Sequence, residues 1–292
     1  MVSLPEAAAL VRDGDHLALS GFACARNAVA FSHELIRQHR RDLTLSACIL
    51  GLDADLLVGA SCVRHVIYGG GSLDRFGQLH RVNQAVEQGR LPVEYTSSLA
   101  VCFRYLAGAL GVPFLPIKSL LGSDLLPEVA DTARELDCPF TGERVLLLRA
   151  LQPDVAVVQV QMADAEGNAR VLGPRWDNNE AAKAAEQVIV VAEELVPGEV
   201  IRRQPELTLI PGFRVGAVVP LAYGAHPTSL YGYYDYDAAH LERYARQTQT
   251  QAGFDDYVAE YVLGSATHFD YLEKVGGVRA LAGLRADPLL GY

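Results

Sequence analysis

Long apolar runs are missing from this chain, although half of its 292 residues are hydrophobic. A membrane-spanning helix needs roughly 18 to 20 uninterrupted apolar residues, and the most apolar stretches here, Val155–Val160 and Val188–Ala192, have the length of strands. The N-terminus, MVSLPEAAALVRDGD, has no basic region followed by an apolar one, so no secretory signal is expected. Positive charge is scarce: 25 Lys and Arg against 35 Asp and Glu leave a net charge of −10, and no basic cluster exceeds a pair or triplet. A nucleic-acid binder needs a basic footprint, so that class is set aside. The five cysteines, Cys24, Cys48, Cys62, Cys102 and Cys138, are odd in number and never form CxxC. Most have apolar neighbours, which suits buried free thiols in a reducing cytoplasm rather than disulfides or a metal site.

What is present is alternation. Strands are expected at His16–Gly21, Leu43–Leu50 and Val63–Tyr68, the last broken by Gly69-Gly70-Gly71. Helices are expected at Ala28–His39, Ala54–Gly59, Gln78–Gln88 and Leu99–Leu110, the last two stopped by Gly89 and Gly111. Near-continuous apolar strands between helices imply a parallel sheet covered on both faces. Val155–Gln161 and Ala169–Leu172 flank the turn Asp164–Asn168 as a hairpin, followed by a helix at Asn179–Glu186 and a strand at Val188–Ala192. The Pro- and Gly-rich stretch Val196–Gly212 marks a change of regime. Of the 13 tyrosines, all but Tyr68, Tyr95 and Tyr105 lie at or after Tyr223. The expected division is an α/β domain over residues 1–222 and a tyrosine-rich helical extension, 223–292, packed on it, because 70 residues make a poor independent core.

Four segments carry a resemblance. Asp13–Phe22 has a strand ending in Gly21-Phe22 before a helix, with Ser20 where the pattern has a first glycine. Leu110–Pro116 is followed by Leu121-Gly122-Ser123. Tyr223-Gly224-Ala225-His226-Pro227 runs into Tyr231–Asp237, and the chain ends Gly291-Tyr292. In this order they resemble the A-type subunits of class I CoA-transferases of the glutaconate CoA-transferase kind. The resemblance implies a Rossmann-like, mainly parallel sheet, a B-type partner in a hetero-oligomer, and an active site between the two. It also implies coenzyme A and acyl-CoA as substrates with no permanently bound cofactor. Catalysis would be ping-pong through a glutamyl-CoA thioester. In such relatives the nucleophilic glutamate sits on the B-type chain, in a motif ending Glu-Asn-Gly. This sequence has none; its nearest string, Ala165-Glu166-Gly167-Asn168, falls in the hairpin turn, where a solvated glutamate is expected. No catalytic residue is therefore expected on this chain.

The candidate substrate-binding residues are Gly21, Phe22, Arg26, Gly70, Gly71, Ser72, Ser98, Gly122 and Ser123. Glycines after strands leave backbone amides open to an anion at a helix N-terminus, and ligands of parallel sheets bind at the carboxyl ends of the strands. Arg26 is either a bidentate partner for a carboxylate or a surface arginine. Of Ser97 and Ser98, one can simply be the N-cap of the following helix. His226 reads as a structural hydrogen-bond partner, and Tyr231–Asp237 as a corner or a subunit interface. Two alternatives accompany the transferase reading. The hydrolases of steroid-ring degradation share this subunit pattern and carry a working glutamate where Ser98 stands, with Glu94 the nearest acid; Ser72-Leu73-Asp74 resembles them. The other alternative is a non-enzymatic metabolite-binding domain.

Overall fold

The computed structural model describes residues 1–287 and 289 of the chain, so the expected signature Gly291-Tyr292 lies outside the described residues. The first half lays down β1 (His16–Leu19), β2 (Leu43–Ala47), β3 (Val63–Tyr68) and β4 (Val93–Tyr95). A side sheet follows, of β5 (Phe114–Ile117), β6 (Ala133–Asp137) and β7 (Arg144–Arg149). Then come β8 (Val155–Ala163), β9 (Ala169–Arg170), β10 (Gln187–Leu195), β11 (Thr208–Ile210) and β12 (Val215–Pro220). The main sheet has nine strands. Its parallel part runs β4-β3-β2-β1-β8-β10-β12. The antiparallel β9 and β11 extend it beyond the end of β1. Strand order reverses between β1 and β8, where Leu17 lies opposite both Leu45 and Val155.

Helices α1 (Leu4–Ala8), α2 (Val29–Arg37), α3 (Leu52–Gly59) and α4 (His80–Glu87) cover one face. So do α8 (Ala238–Gln247), α9 (Gln251–Tyr257), α10 (His268–Lys274) and α11 (Gly277–Ala282), with a π-helical segment at Val258–Leu263. The other face is covered by α5 (Ser98–Leu110) and α6 (Asn178–Ala184); α7 (Gly198–Arg202) is a short link to β11. With both faces covered, the central strands are apolar at nearly every position, which explains why they read as continuous runs. No helix among the described residues is long and apolar enough to cross a membrane.

After the stretch Val196–Gly212, β12 still pairs in parallel with β10. The three-stranded antiparallel sheet β5-β7-β6 was not anticipated; its exposed, charge-bearing strands lack a full apolar face. In the C-terminal helices the tyrosines turn inward: Tyr244, Tyr257, Tyr261 and Tyr271 are buried around His240.

Helix α3 is buried at every position, including Asp53 and Asp55. Both aspartates serve neighbouring helices that begin without a side-chain cap of their own, at Ala28 for α2 and Leu79 for α4. Asp55 Oδ1 accepts the amides of Arg81 (2.9 Å) and Val82 (3.0 Å), and Oδ2 accepts the Tyr244 hydroxyl (2.7 Å). Asp53 Oδ1 accepts the Ala54 amide (2.9 Å); the nearby Ala28 amide favours its charged form, while Oδ2 has no hydrogen-bond partner. Burial pushes the two carboxyls up, to about 7 for Asp53 and about 6 for Asp55, against these hydrogen bonds. Truncating Asp55 orphans two amides and a hydroxyl in the core. Hydrogen bonds to charged groups are worth about 1.5–3 kcal/mol each, and the effects overlap. Asp55→Ala should therefore lose about 3 kcal/mol or more in urea unfolding with unchanged m, whereas Tyr244→Phe should lose about 1 kcal/mol.

Candidate active site at the carboxyl edge of the sheet

The reversal of strand order at β1/β8 opens a crevice at the carboxyl ends of the strands, the usual ligand position in open parallel sheets. Loops from β1, β2 and β3 and the segment before α6 meet there. Ser20 closes β1 onto β8: its hydroxyl accepts the Gln159 amide (2.9 Å) and donates to the Arg26 carbonyl (3.3 Å). Gly21 follows at φ 106°, and Phe22 stacks on Trp176 with ring centres 5.2 Å apart. Asp74 Oδ2 accepts the Cys24 amide (3.2 Å), tying the β1 loop to the β3 loop. Asp177 Oδ2 accepts the Cys48 amide (2.8 Å), tying the α6 start to the end of β2. Burial raises the Asp177 carboxyl, and raises the Cys24 thiol to about 12 with help from Asp74.

Gly69–Ser72 forms the next part of the rim. Leu50 and Gly71 make a parallel bridge, and among the described residues the amides of Gly70 and Gly71 donate to no protein acceptor. Gly71 is exposed and Ser72 half-buried; the Ser72 hydroxyl accepts the Asp74 amide (3.2 Å). A Cβ on Gly69 would lie 2.2 Å from the Ser98 amide nitrogen, so the β3 loop lies directly against the start of α5. Ser97 is the N-cap, accepting the Ala100 amide at 3.1 Å, which leaves Ser98, half-buried, outside the cap bond. Gly122 and Ser123 sit apart, on the exposed segment after β5; Ser123 Oγ donates to the Leu120 carbonyl (2.8 Å). Ser119, earlier in that segment, approaches Ser97, with the two hydroxyl oxygens 3.4 Å apart.

Arg26 is buried, not a surface arginine. Its guanidinium lies 4.8 Å from the Trp176 ring centre, and Nη2 donates to Asn178 Oδ1 (2.9 Å). Burial pulls its pKa down to about 10. It lines a cavity of about 230 Å3 with Trp176, Gln161, Leu172 and Tyr231. Trp176 escaped the sequence reading, because neither periodicity nor a motif singles it out. Its placement between Arg175 and Asp177 was the only signal.

The glutamates are held elsewhere. Glu94 is buried, ion-paired with Arg104 and bonded to the Thr132 hydroxyl (2.8 Å). It faces a recess bounded by His16 and Gln152, near the amino ends of β1 and β8, at the opposite edge of the sheet. Glu166 is exposed in the hairpin turn, where Asp164 accepts the amides of Glu166 and Asn168. Glu193 Oε1 accepts the Tyr223 amide (2.7 Å) and Oε2 the Tyr234 hydroxyl (3.2 Å), with burial pushing its carboxyl up to about 7. His226 bonds Tyr271 (2.8 Å) and Asp237 (3.3 Å) and is enclosed.

Known proteins share this sequence and geometry. The family model for coenzyme A transferase matches residues 1–220. The A-type component of glutaconate CoA-transferase from Acidaminococcus fermentans is 36% identical over 97% of this chain and 93% of its own length. The crystal structure of that organism's glutaconate coenzyme A-transferase superposes with a TM-score of 0.96, at 35% identity, over 100% of this chain and 97% of the matched one. The A-type component of 3-oxoadipate CoA-transferase from Pseudomonas knackmussii is 34% identical over 91% of this chain and 94% of its own. A cholesterol ring-cleaving hydrolase component from Rhodococcus jostii is 29% identical over 94% and 95%. The chain belongs to the coenzyme A transferase family and is a CoA-transferase.

Gly69 and Gly122 offer a test of the rim. Gly69→Ala must displace backbone at Ser98 and should cost about 1–3 kcal/mol, as overpacking does. Gly122→Ala meets open space and should cost only the roughly 1–2 kcal/mol of a left-handed alanine at φ 74°. In the assembled enzyme, turnover should fall with the first substitution and hold with the second.

Proposed function

We propose that this chain is the A-type half of a two-subunit class I CoA-transferase, moving CoA between an acyl-CoA and a small carboxylic or dicarboxylic acid. Its rim offers hydrogen-bond donors without a nucleophile: the open amides of Gly70 and Gly71 and the hydroxyls of Ser72 and Ser98, beside Gly21 and Phe22. The observation that carries the reading is that contrast, since Glu94 is ion-paired with Arg104 and Glu193 is held by the Tyr223 amide and the Tyr234 hydroxyl. Gly122 and Ser123 belong to the substrate side in this reading only if the exposed segment after β5 meets the partner chain.

The nucleophile is then a glutamate of the partner. Its carboxylate attacks the thioester carbonyl and expels CoA thiolate, leaving a mixed anhydride. The thiolate attacks the glutamyl carbonyl, releasing the first acid and forming the glutamyl-CoA thioester. The acceptor carboxylate reverses both steps. This chain positions the acyl carboxylate and donates hydrogen bonds to the charge that develops on the carbonyl oxygen. No bound cofactor is required, and five free cysteines suit a reducing cytoplasm. A hydrolytic role on the pattern of the ring-cleaving relatives lacks its acid here, because Ser98 cannot do a carboxylate's proton chemistry at neutral pH.

Purified alone, the chain should transfer no CoA. Addition of a B-type partner should restore transfer, and borohydride treatment after acyl-CoA should modify the partner while this chain's mass stays unchanged. A thioester trapped on any glutamate of this chain overturns the proposal. Ser72→Ala should assemble normally and lose about tenfold in turnover, the equivalent of one transition-state hydrogen bond of roughly 1.4 kcal/mol. Wild-type kinetics with every acceptor acid would remove Ser72 from the site.

A further inference from the structure

Arg26 is a cation without an anion. The residue is 3% exposed, yet its one hydrogen-bonded acceptor is the neutral amide oxygen of Asn178, and its Nε finds no acceptor. Among the described residues no carboxylate forms an ion pair with it. Asp177 attracts it only from a distance, and the Asp177 oxygens are taken by the Cys48 amide and the Asn178 side chain. A charge buried this deeply is costly unless paired. The backbone around it is strained as well: Ala23, Arg26 and Trp176 all sit at positive φ, 50°, 56° and 47°. Such strain persists only where the surroundings over-determine it, and it clusters at ligand sites.

We propose that the 230 Å3 cavity beside Arg26 is a subsite for a second carboxylate on the acid substrate, and that Arg26 sets the preference for such acids. The inference rests on the transfer reading only in taking the ligand to be the acid substrate. The chemistry of the walls fits. Leu172, Pro174 and the Trp176 ring would hold a short aliphatic chain, and the guanidinium, fixed against that ring, has Nη1 free of any protein acceptor to meet an anion, while its Nε is enclosed and unpaired. Gln161 does not compete for the ligand, because its amide is spent on the Leu172 and Tyr231 carbonyls and the Leu172 amide. Asp235, also on the wall, is exposed, so water and salt screen its repulsion. The volume lies below the roughly 300–1,000 Å3 of pockets for drug-sized ligands, which suits a short acid and leaves no room for a nucleotide. The cavity also lies near the rim: Phe22, stacked on Trp176, and Ile49, whose side chain faces Gly70, pack against the same core cluster.

The chain has a single tryptophan, Trp176, so its own fluorescence reports on this cavity. The full-length chain is titrated with glutarate and with butyrate at constant ionic strength, with chloride as control. A saturable change with glutarate, at least about tenfold weaker with butyrate, supports the subsite. Equal responses to the two acids, or none beyond chloride, overturn it, and this comparison needs no variant. Arg26→Gln should abolish the preference. In the assembled enzyme, that substitution should lower the ratio of kcat/KM for glutarate over butyrate by about 10- to 100-fold, the worth of one hydrogen bond to a charged group. An unchanged ratio sinks the proposal. A selective Trp176 response in a complex that transfers no CoA would remove the transfer reading and leave the subsite standing. Transfer to both acids with a silent Trp176 would do the reverse.

Discussion

The start of α3 is the constraint on which the rest of this molecule depends. A helix buried on all sides is normally apolar all round, yet α3 places Asp53 and Asp55 in its first turn, inside the core. Each is tolerable there because a neighbouring helix begins nearby without a cap. The amides of Arg81 and Val82 are the donors that Asp55 needs, and Asp55 is the acceptor that the α4 start lacks; the Ala28 amide at the start of α2 lies close enough to Asp53 to favour its charged form. The Tyr244 hydroxyl adds the C-terminal helices to the same knot. One turn of helix thereby fixes the starts of α2 and α4 relative to each other and pins α8 through its seventh residue.

That knot lies just behind the carboxyl edge of the sheet, and the rim inherits its geometry. The loops after β1, β2 and β3 feed α2, α3 and α4, so locking the three helix starts brings the loops together. Their remaining polar capacity goes into stitching: Asp74 to Cys24, Asp177 to Cys48, Ser20 to Gln159. Left unpaired at this edge are the donors described at Gly70, Gly71 and Arg26, together with Asn27 Oδ1 and the side-chain amide of Gln159. A surface of fixed donors around a crevice favours a negative charge, whether ground-state carboxylate or developing oxyanion.

The main sheet was largely legible because burial on both faces makes its central strands apolar without interruption, as in Val155–Val158 and Val188–Ala192. Strand β4 was lost because three residues, Val93–Tyr95, carry no pattern, and Glu94 among them argues for solvent. Strand β12 was lost because the Pro- and Gly-rich stretch before it suggests an ending, although Val215–Pro220 is itself apolar. The side sheet was lost because its partner face is mostly open. At the site, the glycine and serine loops could be found from their position after strands. The environment of Arg26 could not, since what buries it is Trp176, contributed by a segment 150 residues later in the chain. Periodicity and motif spacing are local, and a cation–aromatic contact across the switch point is not.

The glutamates show the same limit in chemical terms. The sequence places Glu166 in a solvated turn and offers Glu94 as the acid nearest Ser98, but does not single out Glu193; the fold assigns each a different state. Glu94 is paired with Arg104 and faces the recess beside His16, Glu166 is left in water, and Glu193, half-buried, is the acceptor that anchors the Tyr223-Gly224 turn. A nucleophilic carboxylate needs the reverse of all three conditions: access to substrate, no committed cation, and lone pairs not held by backbone amides. Supplying one on this chain would require breaking an ion pair or an anchor on which the architecture relies. A protein that commits Glu94 and Glu193 to structure, and whose rim carries the open donors of Gly70, Gly71 and Arg26, is suited to receive an acid and orient it. The covalent step is then most readily placed on a second chain, whose loops are free of these structural duties.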